Sequence, residues 1–329
     1  MEASFPRIGI AGAGAIGCTL AARLACSGRT VNLLARGATL AALRRDGVRL
    51  TDRQGEHRAT VNASDRGAAL GEQDLLFLCT KAHDLPALLP AIEPMLGADS
   101  LVVPVINGVP WWYFLGERGR FAGQHVEAVD PGGRLAARLA PPQLIGCVAF
   151  ITVESPAPGV AVTSNPLRMV FGEPDNRPSE RLERLRALVE AAGIEARASE
   201  RIRDALWTKL IANLTSNPLS VISGATLEEV YGNPDLHELV CDLLHEGLLV
   251  AAAYGARVEL DPPGFLARGA AMGAVRTSML QDHQRGRPLE LAAIGDAVLE
   301  LAARLDIALP RSREIIALAR FCSRRGRPR

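Results

Sequence analysis

A glycine-rich turn near the start of the chain constrains its fold more than any other feature. The apolar run Ile8–Ala11 leads directly into Gly12-Ala13-Gly14-Ala15-Ile16-Gly17, which opens a helical pattern that ends near Ser27. A second apolar run, residues 30–34, follows that pattern. A strand, a glycine turn, a helix and a further strand are the start of a βαβ unit. We therefore predict that the N-terminal part of the chain is built on a parallel sheet.

The spacing of the three glycines also predicts a ligand. Gly12 permits a tight turn, Gly14 lets the backbone approach a pyrophosphate, and Gly17 lets the helix pack closely on the strand. The amides and the positive dipole end at the start of the helix favour the phosphates. We expect all six residues, Gly12, Ala13, Gly14, Ala15, Ile16 and Gly17, to bind a dinucleotide.

The end of the second predicted strand indicates which dinucleotide is bound. An acidic residue at this position usually binds the ribose of NAD, but the sequence here is Leu33-Leu34-Ala35-Arg36-Gly37. The guanidinium of Arg36 suits a 2′-phosphate because its donors form a fork. The pattern favours NADP(H) over NAD, with a solvated surface arginine as the alternative.

Strand and helix patterns alternate through the first part of the chain and then give way to helices. Strands are predicted at 74–79 and 101–106 with a helix at 85–96 between them, and the Val- and Thr-rich residues 144–172 are expected to extend the same sheet. Beyond residue 198 long helical patterns dominate, at 201–216, 235–254, 263–280 and 288–305. The predicted fold is an α/β protein with an N-terminal Rossmann-type doubly wound sheet, residues 1–198, followed by an all-helical C-terminal domain, residues 199–329.

Composition excludes several other classes of protein. The net charge is +1 and aromatic residues make up 4% of the chain, so neither an electrostatic nor a base-stacking surface for nucleic acid is expected. No apolar run approaches the ~20 residues needed to span a bilayer. The six cysteines are scattered without a C-x-x-C pair, which is typical of reduced thiols in a cytoplasmic protein.

Three polar residues recur at four-residue steps in the second half: Lys209, Asn213 and Asn217. On a helix they lie along one face. Pro218 comes next and is expected to break or kink that helix. If the face points into a cleft, the amides can hold a polar substrate and the lysine can donate a proton. A solvent-facing polar stripe is the alternative.

Two further patterns have simple structural explanations. Pro288 suits a helix start, so Glu290 would lie in the first turn and complement the helix dipole. His237, Cys241 and His245 also recur at four-residue steps. They would extend over about 12 Å of helix, which is too long for one ion to contact all three, so no metal site is predicted.

Six motifs together resemble the ketopantoate reductase (2-dehydropantoate 2-reductase) family: GAGAIG, LLARG, LCTKAHDL, VINGVPWW, WTKLIANLTSNPLS and TSMLQDHQRGRPLEL. The resemblance implies that Lys209 is the catalytic general acid and that Glu290 is the catalytic-site glutamate that binds the substrate hydroxyl. By the same resemblance, the substrate-binding positions are Asn213, Asn217 and Ser278. The residues that match the family's cofactor-binding positions are Arg36, Lys81 and Asn107.

The family resemblance implies NADPH-dependent reduction of 2-dehydropantoate to pantoate, a step of pantothenate biosynthesis. Some positions depart from the family pattern: Ala292 replaces an aspartate, Gly295 replaces a frequent asparagine, and Trp111-Trp112 form a tryptophan pair. A different 2-keto acid is therefore an alternative substrate, and a non-catalytic NADPH-sensing protein is a third alternative. A homodimer is compatible with the sequence.

Overall fold

The first strand of the chain lies at the centre of a five-stranded sheet. The computed structural model describes residues 5–139 and 141–325. The strands, in chain order, are β1 (Ile8–Ala11), β2 (Val31–Leu34), β3 (Val48–Asp52), β4 (Gly55–Ala59), β5 (Asn62–Ser64), β6 (Gln73–Leu78), β7 (Leu96–Pro104), β8 (Gly146–Phe150), β9 (Glu154–Ala157), β10 (Val160–Val162), β11 (Arg168–Gly172) and β12 (Glu195–Ala198). The order in the central sheet is β5-β2-β1-β6-β7, and all neighbours are parallel.

Strand β1 is apolar throughout because both of its faces are covered. All four of its residues are buried, with Ile8 in register with Val31 of β2 and Leu75 of β6. A parallel strand with two covered faces has a continuous apolar sequence rather than an alternating one. The helices of this part of the chain are α1 (Ala15–Cys26), α2 (Gly37–Asp46), α3 (Gly67–Leu70), α4 (Leu85–Ile92), α5 (Arg134–Arg138) and α6 (Glu180–Ala191). The predicted doubly wound α/β fold is confirmed.

The strands beyond residue 144 do not extend the central sheet, so this part of the prediction is wrong. Strands β8, β11 and β12 form a separate three-stranded sheet, whereas β9 and β10 join the hairpin of β3 and β4. An isolated bridge between Val102 and Leu144 marks where the chain leaves the edge of β7. The residue pattern identifies a strand but not its partner. The partner is set by pairings between residues that are distant in the sequence, such as Val148 with Val170.

Helices make up the last part of the described chain, as predicted. They are α7 (Ile202–Ser223), α8 (Leu227–Gly232), α9 (Pro234–Ala253), α10 (Pro262–Ala270), α11 (Ser278–Gln284), α12 (Ala297–Ala303) and α13 (Pro310–Arg325). Contrary to the prediction, α7 does not end before Pro218 but continues to Ser223. Every residue from Leu214 to Val221 is buried, and tertiary packing of this kind overrides a local helix-breaking tendency. In the described residues no helix is both long and apolar enough to cross a bilayer.

Two of the predicted helices also differ from the structure. The pattern at 263–280 is interrupted between α10 and α11, where Gly273 has a φ of +75° and Thr277 caps the new helix. The pattern at 288–305 becomes helical only at Leu291, and Ala292–Asp296 form a π-helical turn before α12. Glu290 therefore precedes the helix instead of lying in its first turn.

The chain divides into two compact units whose boundaries differ from the predicted division at residue 198. The first unit holds the residues up to Ile106, Phe114–His125 and Gly133–Ile202. The second unit holds Asn107–Tyr113, Val126–Gly132 and the chain from Arg203. Two short segments that precede residue 198 thus belong to the helical unit. The Val109 amide donates to the carbonyl oxygen of Ala293, and the amides of residues 127 and 128 donate to the Glu300 carboxylate.

Candidate active site

The first and third glycines of the turn are required by packing within the protein. Gly12 has a φ of +107°, and a Cβ atom there would lie 2.7 Å from Cγ2 of Thr80 and 2.9 Å from the carbonyl carbon of Cys79. A Cβ atom at Gly17 would lie 1.9 Å from the carbonyl oxygen of Gly12. Because neither position has a side chain, the turn can be tight and α1 can pack closely against β1.

The middle glycine has a different environment. A Cβ atom at Gly14 would meet no protein atom within 4 Å, and the residue is exposed at the position immediately before α1. The first turn of α1 carries no acidic residue. Ala13, Ala15 and Ile16 are half-buried around this opening. A helix N-terminus with an open approach to its backbone fits the pyrophosphate of a dinucleotide.

Two cationic side chains follow the C-terminal ends of strands in the same unit. Arg36 follows β2, directly precedes α2, is exposed, and makes no side-chain capping hydrogen bond to that helix. Lys81 follows β6 and is half-buried, immediately before a short 3₁₀ turn, Ala82–Asp84. Ligands of doubly wound sheets bind beyond the C-terminal ends of the strands, so both cations lie at the edge where a cofactor phosphate is expected.

A polar cluster in the second unit contains two candidate catalytic residues. Nζ of Lys209 donates a 2.7 Å hydrogen bond to Oδ1 of Asn107. Nδ2 of the same asparagine points to Oε2 of Glu290 at 3.5 Å. Lys209 and Asn107 are half-buried, and Glu290 is 5% exposed. One carboxamide therefore connects an ammonium group and a buried carboxylate, an arrangement that compensates for the removal of both charges from water.

Lys209 is held in place by the aromatic residues around its helix. Nε1 of Trp207, two residues earlier on α7, donates a 2.8 Å hydrogen bond to the hydroxyl of Tyr113. Nε of Arg203 donates at 2.8 Å to the carbonyl oxygen of Tyr113. Trp207 is fully buried and Arg203 is 8% exposed. These contacts fix the rotation of α7, so that Lys209 faces the Asn107 side chain.

The predicted substrate-binding amides lie on the same helix. Asn217 is buried, accepts a 3.3 Å hydrogen bond from Ser216, and follows the half-buried Asn213 by one turn. None of Lys209, Asn213 and Asn217 is exposed. This burial contradicts the alternative of a solvent-facing stripe.

The third predicted substrate-binding residue, Ser278, is connected to α7 through its neighbour Thr277. Ser278 is the exposed first residue of α11, and the preceding Thr277 is buried. The Thr277 hydroxyl lies 2.7 Å from the hydroxyl of Ser220, which itself donates to the carbonyl oxygen of Asn217. The start of α11 is thus fixed beside the end of the polar stripe on α7.

Sequence reasoning missed Tyr113, Ser220 and Thr277, all of which position other residues. The composition of the basic residues does not identify these three residues, but it does single out the two lysines. The chain has 37 lysines and arginines, and only two of them, Lys81 and Lys209, are lysines. A chain that uses arginine almost everywhere else retains lysine where a compact, titratable amine is needed. In the described residues no group of three or more His, Cys, Asp or Glu side chains is placed to hold a metal ion.

A doubly wound sheet with a pyrophosphate-binding turn, together with a lysine–asparagine–glutamate cluster, defines a dinucleotide-dependent oxidoreductase. The family model described as ketopantoate reductase PanE/ApbA matches residues 8–176, and its C-terminal counterpart matches residues 201–323. The chain therefore belongs to the ketopantoate reductase family, whose members are oxidoreductases that act on CH–OH groups and use NADPH.

Individual relatives agree with this assignment. A 2-dehydropantoate 2-reductase of Mesorhizobium japonicum is 39% identical over 315 residues, which cover 95% of this chain and 97% of that protein. A crystal structure of a Ralstonia solanacearum protein, provisionally named ketopantoate reductase, has a TM-score of 0.92 at 37% identity and covers 98% of this chain and 99% of that one. A D-mandelate dehydrogenase bound to NADH and anilino(oxo)acetate shares the fold at 21% identity, with a TM-score of 0.82 over 97% of this chain and 99% of that one.

Proposed function

We propose that this protein catalyses NADPH-dependent reduction of 2-dehydropantoate to pantoate, with Lys209 as the general acid. The observation that supports the proposal best is the cluster of Lys209, Asn107 and Glu290, in which a half-buried ammonium group is oriented by a neutral acceptor 2.7 Å away. The proposed setting is the cytoplasm, and the proposed partner is the small-molecule substrate, without nucleic acid or membrane. A homodimer is part of the same proposal.

The residues of the first unit fit NADPH at both of its phosphate groups. The turn from Gly12 to Gly17 would hold the pyrophosphate at the N-terminus of α1, and Arg36 would bind the 2′-phosphate with its guanidinium donors. Lys81 would add a second positive charge near the cofactor. When bound, NADPH supplies the hydride that is transferred to the substrate carbonyl carbon.

Lys209 supplies the proton and stabilises the negative charge that develops on the carbonyl oxygen. The hydrogen bond to Oδ1 of Asn107 occupies one of the three ammonium donors and leaves the direction of the others defined. After Lys209 gives its proton to the alkoxide, a proton from solvent restores the ammonium group.

The remaining site residues bind the two ends of the substrate. Glu290 would accept a hydrogen bond from the distal hydroxyl of 2-dehydropantoate. Asn213, Asn217 and Ser278 would donate hydrogen bonds to the substrate carboxylate. Since all three lie along α7 or at the start of α11, one face of the helical unit would bind the whole substrate.

Two lysine variants test this proposal. In an assay that follows NADPH oxidation at saturating cofactor, Lys209→Ala should lower kcat by about 10² to 10⁴-fold. Lys209→Arg should recover little activity, because a guanidinium does not release its proton. Unchanged Kd values for NADPH would show that the cofactor site is intact. Turnover within a few-fold of wild type in Lys209→Ala would remove the residue from the mechanism.

The second candidate function is reduction of a different 2-keto acid by the same residues. One argument for it is that Ala292 and Gly295 provide no polar side chain. The other is the buried pair Trp111 and Trp112, whose indole N–H groups have no hydrogen-bond partner among the described residues. Trimethylpyruvate is 2-dehydropantoate without its hydroxyl and is therefore the matched competitor substrate. A site built for the hydroxyl should reject it by at least 10²-fold in kcat/KM, since Glu290 would lose its partner.

The same substrate panel separates the third alternative, a non-catalytic sensor. Phenylglyoxylate extends the panel to an aromatic 2-keto acid. If every compound is inert while NADPH binds tightly, the enzymatic proposal is wrong and a sensing role is supported.

A further inference from the structure

The π-helical turn Ala292–Asp296 begins two residues after Glu290 and places one extra residue in its helix. The N–H of Ala297 bonds to the carbonyl oxygen of Ala292, five residues earlier, and thus passes over the carbonyl of Ala293. In an α-helix that amide would bond to the carbonyl four residues earlier. Such insertions are uncommon and occur frequently at functional sites.

The carbonyl of Ala293 is used by a distant part of the chain. The N–H of Val109 donates a 2.8 Å hydrogen bond to it. Gly108 has a φ of +81°, and a Cβ atom there would lie 2.5 Å from both the carbonyl carbon and oxygen of Ala293. The backbones of the two segments are therefore in direct contact, and only glycine permits this contact.

This contact lies next to the carboxamide that joins the two charged site residues. Asn107 directly precedes Gly108, and Glu290 lies three residues before Ala293. The Asn107 side chain then meets Lys209 at 2.7 Å and Glu290 at 3.5 Å. A shift of about 1 Å between the two backbones would break at least one of these contacts, since hydrogen bonds weaken steeply beyond their usual length.

The π-helical turn is also supported from α13. A Cβ atom at Gly295 would lie 2.9 Å from Cγ1 of Ile316, and Ile316 is 1% exposed. The turn cannot move towards α13 to make room for a larger residue at position 108. A substitution there must instead displace the segment that carries Asn107.

We propose that the contact between Gly108 and the π-helical turn is a positioning device that holds the Asn107 carboxamide between Lys209 and Glu290. Gly108 and Val109 act as positioning residues, because they reach the reacting groups only through Asn107. The inference rests on the proposed function of that cluster. It also assigns a role to the extra residue of the helix: the carbonyl of Ala293, which the amide of Ala297 passes over in the π-helical turn, accepts the hydrogen bond from Val109.

The main test compares Gly108→Ala with Gly224→Ala. Gly224 also has a left-handed φ, +74°, but a Cβ atom there meets nothing within 4 Å. Gly224→Ala therefore reproduces the backbone strain without the clash. We expect Gly108→Ala to lower kcat by about 10- to 100-fold relative to this control. A kcat within two-fold of the control would overturn the proposal.

A double-mutant cycle with Asn107→Ala shows whether the effect passes through the carboxamide. If Gly108 acts by positioning Asn107, then Gly108→Ala should have little further effect on kcat in the Asn107→Ala background. An equal loss in both backgrounds would indicate general disruption and contradict the proposal. A second variant keeps the test valid if Gly108→Ala does not fold: replacing Val109 by its α-hydroxy acid removes the N–H that bonds to Ala293 and keeps the side chain. It should lower kcat as well, and an unchanged kcat would contradict the proposal.

A measurement that does not depend on turnover separates this inference from the proposed function. The chain contains only two lysines, so selective ¹³C labelling of lysine gives two sets of side-chain NMR signals. Gly108→Ala should shift the signals of Lys209 and leave those of Lys81 in place. If the wild-type protein reduces no 2-keto acid but this shift occurs, the positioning contact is supported and only the proposed reaction fails. Unshifted Lys209 signals would overturn the positioning role.

Discussion

Alanine substitutions at two glycines of the same turn should separate cofactor binding from stability. At Gly17 the new Cβ atom would lie 1.9 Å from the carbonyl oxygen of Gly12, so α1 must move away from β1. Overpacking of this kind destabilises by about 1–3 kcal/mol, which corresponds to a fall in Tm of roughly 2–10 °C for a domain of this size. The turn is distorted as well, and NADPH binding should weaken with it.

At Gly14 we expect NADPH binding to weaken without a loss of stability. The new Cβ atom meets no protein atom within 4 Å, and the φ of −78° is accessible to alanine, so Tm should stay level or rise slightly. The methyl group nevertheless occupies the approach to the helix N-terminus. Loss of one charge-assisted hydrogen bond to the pyrophosphate, about 1.5–3 kcal/mol, raises the Kd for NADPH by about 10- to 150-fold.

The assay combines thermal unfolding without ligand and a fluorescence titration with NADPH. Gly28→Ala is a control for NADPH binding alone: this residue lies just beyond α1 and has open space around it, but its φ of +85° means that alanine there lowers Tm by itself. Wild-type NADPH affinity in Gly14→Ala would refute the assignment of the pyrophosphate to this turn. A Tm for Gly17→Ala equal to that of the wild type would refute the packing argument.

Two further predictions concern ion pairs and stability. Burial opposes ionisation of Asp52, but the amide of Gln54, the His57 ring and the Arg23 guanidinium outweigh it and hold the pKa of Asp52 below 3.8. The contribution of Asp52 to stability is therefore complete above about pH 4 and is lost as the pH falls through the lower folded-state pKa. In urea unfolding, the free energy of unfolding should fall between pH 7 and pH 3, and it should fall less in Asp52→Asn. An equal fall in both proteins would contradict this prediction. Glu300 accepts hydrogen bonds from the amides of residues 127 and 128 at 3.0 and 2.8 Å. Glu300→Ala should therefore lower the free energy of unfolding by about 1–3 kcal/mol and speed proteolysis within 126–132. Proteolysis at the wild-type rate would show that these hydrogen bonds do not hold the segment in place.

The sequence was most informative where a local pattern determines a local structure. The turn from Gly12 to Gly17, strand β1 and helix α1 were predicted because glycine geometry and apolar runs act over a few residues. The fate of residues 144–172 was not predicted, because partner choice depends on strands far away in the sequence. The continuation of α7 through Pro218 was also missed, since it depends on burial from several sides.

Prediction of the candidate site had a similar limit. Lys209, Asn213 and Asn217 could be placed on one helix face from spacing alone, but Glu290 by spacing suited only a helix start, and the family resemblance was needed to place it in the site. Asn107 was expected to contact the cofactor, and its hydrogen bond with Lys209 became visible only in the structure. Residues 102 positions apart in the sequence leave no periodic signal of their contact.

The composition of the second unit from three separate stretches has a consequence for recombining related enzymes. A chimaera joined at residue 198 would take Lys209 and Glu290 from one parent and Asn107, Gly108 and Val109 from the other. If the parents differ in the distance between the backbones of Gly108 and Ala293, the chimaera would fold but its proton donor would be misaligned. Exchanging substrate specificity between family members therefore requires Asn107–Tyr113 and Val126–Gly132 to be transferred together with the helices.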